Sequence, residues 1–215
     1  MKWPNKDWFA LSNQIIKVED GHYKLSTISC GKLKIPSGNL ICCDPFSDMS
    51  KNGNAYVKIP IGEYEVVVTY ADVSPNLDGS HKREAYASLL IGEPTKETTR
   101  KCLEPTLNGI PTNKDLGNEG FYGFGVDAGT ACLVDAEALA VGMPDEKLWH
   151  DEIFDSDKEN SWFNLMDNPD IICNGLANIR LPLAKNDNNI IIIHSGWGDG
   201  FYPVIGGYDS QGNLI

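Results

Sequence analysis

Residues 63–70 read Glu63-Tyr64-Glu65-Val66-Val67-Val68-Thr69-Tyr70, and this octapeptide decides the fold class. Successive side chains of a strand point to opposite faces, so Tyr64, Val66, Val68 and Tyr70 share one face while Glu63, Glu65 and Thr69 fall on the other. One face is expected to be buried and the other mostly wet. A partner strand is expected at Ala85-Tyr86-Ala87-Ser88-Leu89-Leu90-Ile91, across the polar loop Pro75-Asn76-Leu77-Asp78-Gly79-Ser80. Upstream, residues 23–41 alternate loosely and are broken by Gly31 and Pro36-Ser37-Gly38, which predicts two or three short strands. Downstream, apolar runs at 121–126 and 131–134 flank the turn Asp127-Ala128-Gly129-Thr130. Ile190-Ile191-Ile192-Ile193 is the continuous apolar run of a strand buried on both faces. A glycine-rich turn, a further strand within 201–208, the tight turn Asp209-Ser210-Gln211-Gly212 and a last strand at Leu214-Ile215 complete the reading.

Helix signals are confined to the middle of the chain, apart from residues 3–11, where a short helix would carry Trp3, Trp8 and Phe9 onto the body of the domain. Asp135 stands where an N-cap belongs, ahead of Ala136-Glu137-Ala138-Leu139-Ala140. Pro144, followed by Asp145 and Glu146, suits the first turn of another helix, with Leu148, Trp149 and Ile153 as its apolar stripe. The polar, weakly patterned stretch 92–119 is expected to be a mobile connection. The fold class that follows is mainly β (α+β), a two-layer, largely antiparallel β-sandwich with one or two short helices in the 135–168 region. A partly open barrel of the same strands is the alternative. Residues 1–215 are expected to form a single domain.

Composition agrees with this picture. The chain has 215 residues, of which 41% are hydrophobic and 22% charged, and its 21 Gly and 12 Pro interrupt it too often for long helices. A formal net charge of −12 repels phosphate backbones, so no nucleic acid partner is expected; the same field favours a basic protein partner or serves solubility alone. Met1-Lys2-Trp3-Pro4-Asn5-Lys6-Asp7 lacks the apolar stretch of about 7–15 residues of a signal peptide, and no run approaches the roughly 20 needed to span a bilayer. A cytoplasmic protein with no membrane association is expected. Its six cysteines, Cys30, Cys42, Cys43, Cys102, Cys132 and Cys173, form no CxxC pair and are read as free, buried thiols. No cofactor and no metal is expected, because dispersed aspartates do not define a calcium loop.

Two constellations merit weighing. Asp127-Ala128-Gly129-Thr130 superficially resembles an aspartic protease turn, but it lacks the hydroxyl at Ala128 and a second such turn. Cys132 with His194 and an aspartate can be written as a thiol triad, although Cys132 lies in an apolar run where a buried, inert thiol is the rule. The segment Ser195-Gly196-Trp197-Gly198-Asp199-Gly200-Phe201-Tyr202-Pro203 is the most unusual, because its three glycines around a Trp and an Asp exceed the needs of a hairpin. Projecting from a rigid strand, it is the candidate binding loop. The candidate site comprises His194, Trp197, Asp199 and Tyr202, with Asp127 and Asp135 gathered beside them if the strand from Phe121 pairs next to the isoleucine strand.

These residues also carry a resemblance. Pro36-Ser37-Gly38-Asn39 and Asp44-Pro45, Val126 to Thr130 with the following Asp135, and above all the Gly198-Asp199-Gly200-x-Tyr202-Pro203 element resemble a bacterial family known as domain of unknown function 4241. The likeness covers nearly the whole chain. Where members of that family usually have Tyr-Trp-Gly after Pro-Val, this chain has Ile205-Gly206-Gly207. The resemblance implies no substrate, cofactor or catalytic residue. The expected function is a non-enzymatic binding module, an immunity-type protein that masks a basic protein partner being one candidate form of it. The alternative is a small hydrolase or ligand-processing enzyme with its site at the 194–202 loop and a small-molecule ligand of unknown identity.

Overall fold

A computed structural model describes residues 8–112 and 121–215. Strands β1 (Ile15–Val18), β2 (Gly21–Ile35), β3 (Asn39–Cys43), β4 (Val57–Lys58), β5 (Gly62–Asp72) and β6 (Lys82–Leu90) open the chain. Strands β7 (Thr99–Cys102), β8 (Thr106–Leu107), β9 (Ile110–Pro111), β10 (Gly123–Val126) and β11 (Thr130–Asp135) lead to helices α1 (Ala136–Gly142) and α2 (Trp162–Asp167). Strands β12 (Leu176–Arg180), β13 (Asn189–His194), β14 (Gly200–Pro203) and β15 (Ile205–Tyr208) follow. A four-stranded sheet in the order β1-β2-β5-β6 faces a five-stranded sheet in the order β12-β13-β11-β3-β4. All pairings are antiparallel, and both sheets are open rather than closed into a barrel.

The alternation read at residues 63–70 is the inner face of β5. Val66 and Val68 are fully buried against Leu33 and Ile35 of β2 and against Leu176, Ile191 and Ile193 of the opposing sheet. Residues 85–90 fall on the neighbouring strand, with Val68 opposite Ala87, and Ile91 lies just past its end. The isoleucine run is buried on both faces for a topological reason. Ile191 and Ile193 point into the space between the sheets, while Ile190 and Ile192 pack beneath a helical layer with Leu139, Met143, Trp149 and Trp162. Helices thus cover the outer face of the five-stranded sheet. Cys42 and Cys43 likewise serve opposite faces, Cys43 meeting Cys132 at 3.6 Å between sulfurs in the helix-side core. Residues 21–41 form one long strand and one short one, because Gly31 at φ +79° makes a bulge within β2 without ending it.

Asp135 caps α1 as expected, accepting from the N–H groups of Glu137 and Ala138 at 3.0 Å each. After Pro144 the chain makes a 3-10 turn over Glu146–Leu148 and a π-turn over His150–Phe154 in place of an α-helix; Trp149 and Ile153 are buried but Leu148 is not. Trp3 and the rest of residues 1–7 lie outside the described residues. Trp8 to Leu11 form a turn, with the Ser12 N–H donating to the Phe9 carbonyl at 3.1 Å, and not a helix. Within 92–119, strand β7 pairs with β15 and β8 pairs with β9, so much of this connection is built into small sheets; residues 113–120 are outside the description.

Candidate functional site: a cleft at the free edge of strand β6

Strand β6 ends its sheet, and among the described residues no strand pairs with its other edge. Ala85 and Ala87 of this strand are exposed and line the space beside it. Strands β14, β15 and β7 stand across from it, so the two sheets are not sealed there and a cleft of about 870 Å³ runs into the space between them. Its floor is apolar, formed by Leu133 and Ile193 of the five-stranded sheet with Cys42 and Ile59. Leu103, Val204 and Leu214 line the opposite wall. The volume falls within the roughly 300–1,000 Å³ typical of small-molecule sites.

The glycine-rich loop closes one end. Gly196, at φ +80°, passes so close to β6 that a Cβ would collide with the Glu84 carbonyl oxygen. Several bonds hold the loop: the Ser195 N–H donates to the Gly129 carbonyl at 3.0 Å, and the Ser195 and Tyr202 hydroxyls both donate to the Gly198 carbonyl at 2.7 Å. The Arg83 guanidinium donates to the Gly196 carbonyl at 3.1 Å and lies over the Trp197 ring, 5.4 Å from its centroid. At this end Glu84 points a carboxylate that is only 11% exposed toward His194, with 4.0 Å between its Oε1 and Nδ1. Burial pushes the Glu84 carboxyl above its ordinary range, against its own backbone N–H, His194, the Tyr70 hydroxyl and Arg83, all of which favour the charged form. At the other end Arg100 pairs with Glu97 and stacks over Trp8 at 4.9 Å from the ring centroid.

His194, Trp197 and Tyr202 therefore line the cleft together. Asp199 is an exposed residue of the same loop, and Asp127 is exposed beside it, because Val126 pairs with Gly200 and Thr130 with His194. The route differs from the one expected: β10, the strand from Gly123, pairs with β14 and not with the isoleucine strand, whose neighbours are β11 and β12. Asp135 is not part of this cluster. It sits at the far end of β11, opposite Leu40, fully buried, and its second carboxylate oxygen accepts from the Ser37 N–H at 2.9 Å and hydroxyl at 2.7 Å. It joins α1 to the β2–β3 turn.

Sequence reading missed Glu84 and Asp44. Glu84 lies one residue before the apolar run assigned to the strand, and nothing local marks it as buried. Asp44 is fully buried and accepts the N–H groups of Asp127 at 2.9 Å, Ala128 at 2.6 Å and Phe46 at 2.9 Å, so it fixes the turn that precedes β11. Its only local sign is the Asp44-Pro45 step.

Chemically, the arrangement offers an apolar trough with a buried carboxylate and an imidazole at one end. The Cys132 thiol meets Cys43, and the Ser195 hydroxyl is directed to a backbone carbonyl. Among the described residues no three His, Cys, Asp or Glu side chains converge on a metal position, and no helix is long and apolar enough to cross a membrane.

No curated protein and no solved structure matches the chain. One family profile does, over residues 33–215, a span that takes in the whole five-stranded sheet, β5, β6 and the 194–202 loop. With that coverage, the chain belongs to the family described as Protein of unknown function (DUF4241).

Proposed function

We propose that this chain is a non-enzymatic binding module of the cytoplasm whose ligand occupies the cleft between β6 and the β14–β15 wall. The observation that carries this reading is the cleft itself: about 870 Å³, apolar on its floor and walls, with Glu84, His194 and Tyr202 converging at one end. A folded chain of this size gains stability by closing such a space, so an open trough continuous with the inter-sheet core is a feature to be filled by something else. Titration with 1-decanol, followed by the fluorescence of Trp8 and Trp197 at the rim, tests it. Saturable binding that Ala87→Trp abolishes supports the reading. Unsaturable binding, or binding indifferent to Ala87→Trp, overturns it.

The net charge of −12 favours a second reading, in which the module masks a basic protein partner in the manner of an immunity protein. Such a complex weakens steeply as salt is raised. A tight acidic or nucleic-acid partner that resists salt would overturn it.

A further inference from the structure

We infer that the ligand of the cleft is an amphipathic amine, its ammonium group paired with Glu84 and its apolar body lying over Leu133 and Ile193. The inference rests on the reading of the cleft as a ligand site and specifies the chemistry of its occupant.

Three observations point to an amine. First, Glu84 is a carboxylate placed inside an apolar trough, where a lone charge is costly unless a partner supplies compensation. The Tyr70 hydroxyl and its own backbone N–H favour its charged form, and the remaining neighbours add compensation only in part. His194 is 4.0 Å away, beyond hydrogen-bond distance, and the Arg83 guanidinium is directed to the Gly196 carbonyl and the Trp197 ring. Second, the same end carries aromatic rings, Tyr202 beside Phe124 at 6.2 Å between centroids and Trp197 at the rim. Aromatic rings at the same end of the cleft add a surface that attracts a cation. Third, the charges across the cleft do not favour an anion. Among the described residues the one guanidinium lining it, Arg100, is already paired with Glu97, and the molecule as a whole carries −12. The surrounding field thus concentrates cations at the mouth and repels carboxylates.

Calorimetric titration with decylamine, 1-decanol and decanoate tests the inference, since the three share an apolar chain and differ in head-group charge. Decylamine should bind about tenfold or more tighter than decanol, the difference a charge-assisted bond makes, and decanoate should bind weakest. Glu84→Gln should abolish the preference for decylamine over decanol, with thermal unfolding and circular dichroism of the variant reporting that it is folded. Should Gln not be tolerated there, Glu84→Asp withdraws the carboxylate by one methylene and should narrow the gap between decylamine and decanol. If decanol or decanoate binds as tightly as decylamine, or if the preference for decylamine survives in Glu84→Gln, the amine is wrong and the cleft remains a ligand site. If none of the three binds, the cleft reading fails and the amine with it.

Discussion

The buried carboxylate of Asp44 accepts the backbone N–H of Asp127 at 2.9 Å, tying the turn before β11 to the end of β3 across 83 residues. The neighbouring N–H of Ala128 binds the same oxygen at 2.6 Å, and Thr130 approaches the other at 3.4 Å. The Asp127 side chain itself is exposed. Asp44→Asn places amide hydrogens against backbone donors in a closed site and should cost about 1–3 kcal/mol, while Asp127→Ala should stay within about 0.5 kcal/mol. Urea unfolding of the two variants checks this. Equal losses would show that Asp44 does not organise the turn.

The loop at the cleft divides into a part the fold needs and a part it does not. Gly196→Ala should be strongly destabilising, because the left-handed backbone alone costs about 1–2 kcal/mol and the new methyl meets the Glu84 carbonyl. Trp197 is 73% exposed, so Trp197→Ala should change stability by no more than about 0.5 kcal/mol, as should Asp199→Asn. Thermal unfolding beside decanol titration separates the roles. Large stability losses in Trp197→Ala or Asp199→Asn with unchanged binding would make the loop a structural plug.

Burial sets the behaviour of the thiols. It pushes Cys30 and Cys42 up to about 12, with Cys173 and Cys43 respectively adding to the effect. At pH 8 the thiolate fraction of such a group is about a thousandfold below that of an ordinary cysteine. Ellman titration in denaturant without reductant should count all six thiols, and mass spectrometry of alkylated native protein should show Cys30 and Cys42 as slow sites. Rapid native alkylation of Cys42, or a denatured count of four or fewer, would contradict this.

Glu84 gives the pH dependence a sign. Its carboxyl holds a proton to higher pH in the folded state than in the unfolded chain, where it titrates near about pH 4.3. The folded state therefore binds more protons over that interval, and the contribution of Glu84 to stability falls as pH rises through it. Relative to Glu84→Gln, the parent protein should lose stability as pH rises above about 4.3, the unfolded-state value. Chemical unfolding of both proteins across that range measures the difference. A parent that gains on the variant as pH rises would reverse the assignment.

Alternation and apolar runs are local properties, and what depends on them was legible in the chain. Val66 and Val68 face inward because a strand has a two-residue period, and the isoleucine run fills both faces of β13 because nothing polar interrupts it. Asp135 caps α1 because an aspartate ahead of a helical segment accepts the first free N–H groups. Family membership, too, was carried by residues near one another in sequence. The tertiary structure alone decided what long-range pairing controls. Asp135 lies at one end of β11 and Thr130 at the other, so a site read as one aspartate cluster divides into a helix cap bound to Ser37 and an exposed Asp127 beside the loop. Glu84 became a buried carboxylate because β6 ends its sheet next to a loop about 110 residues further on. The cleft exists because two sheets part at an edge, and no short stretch of sequence encodes how far two sheets stand from each other.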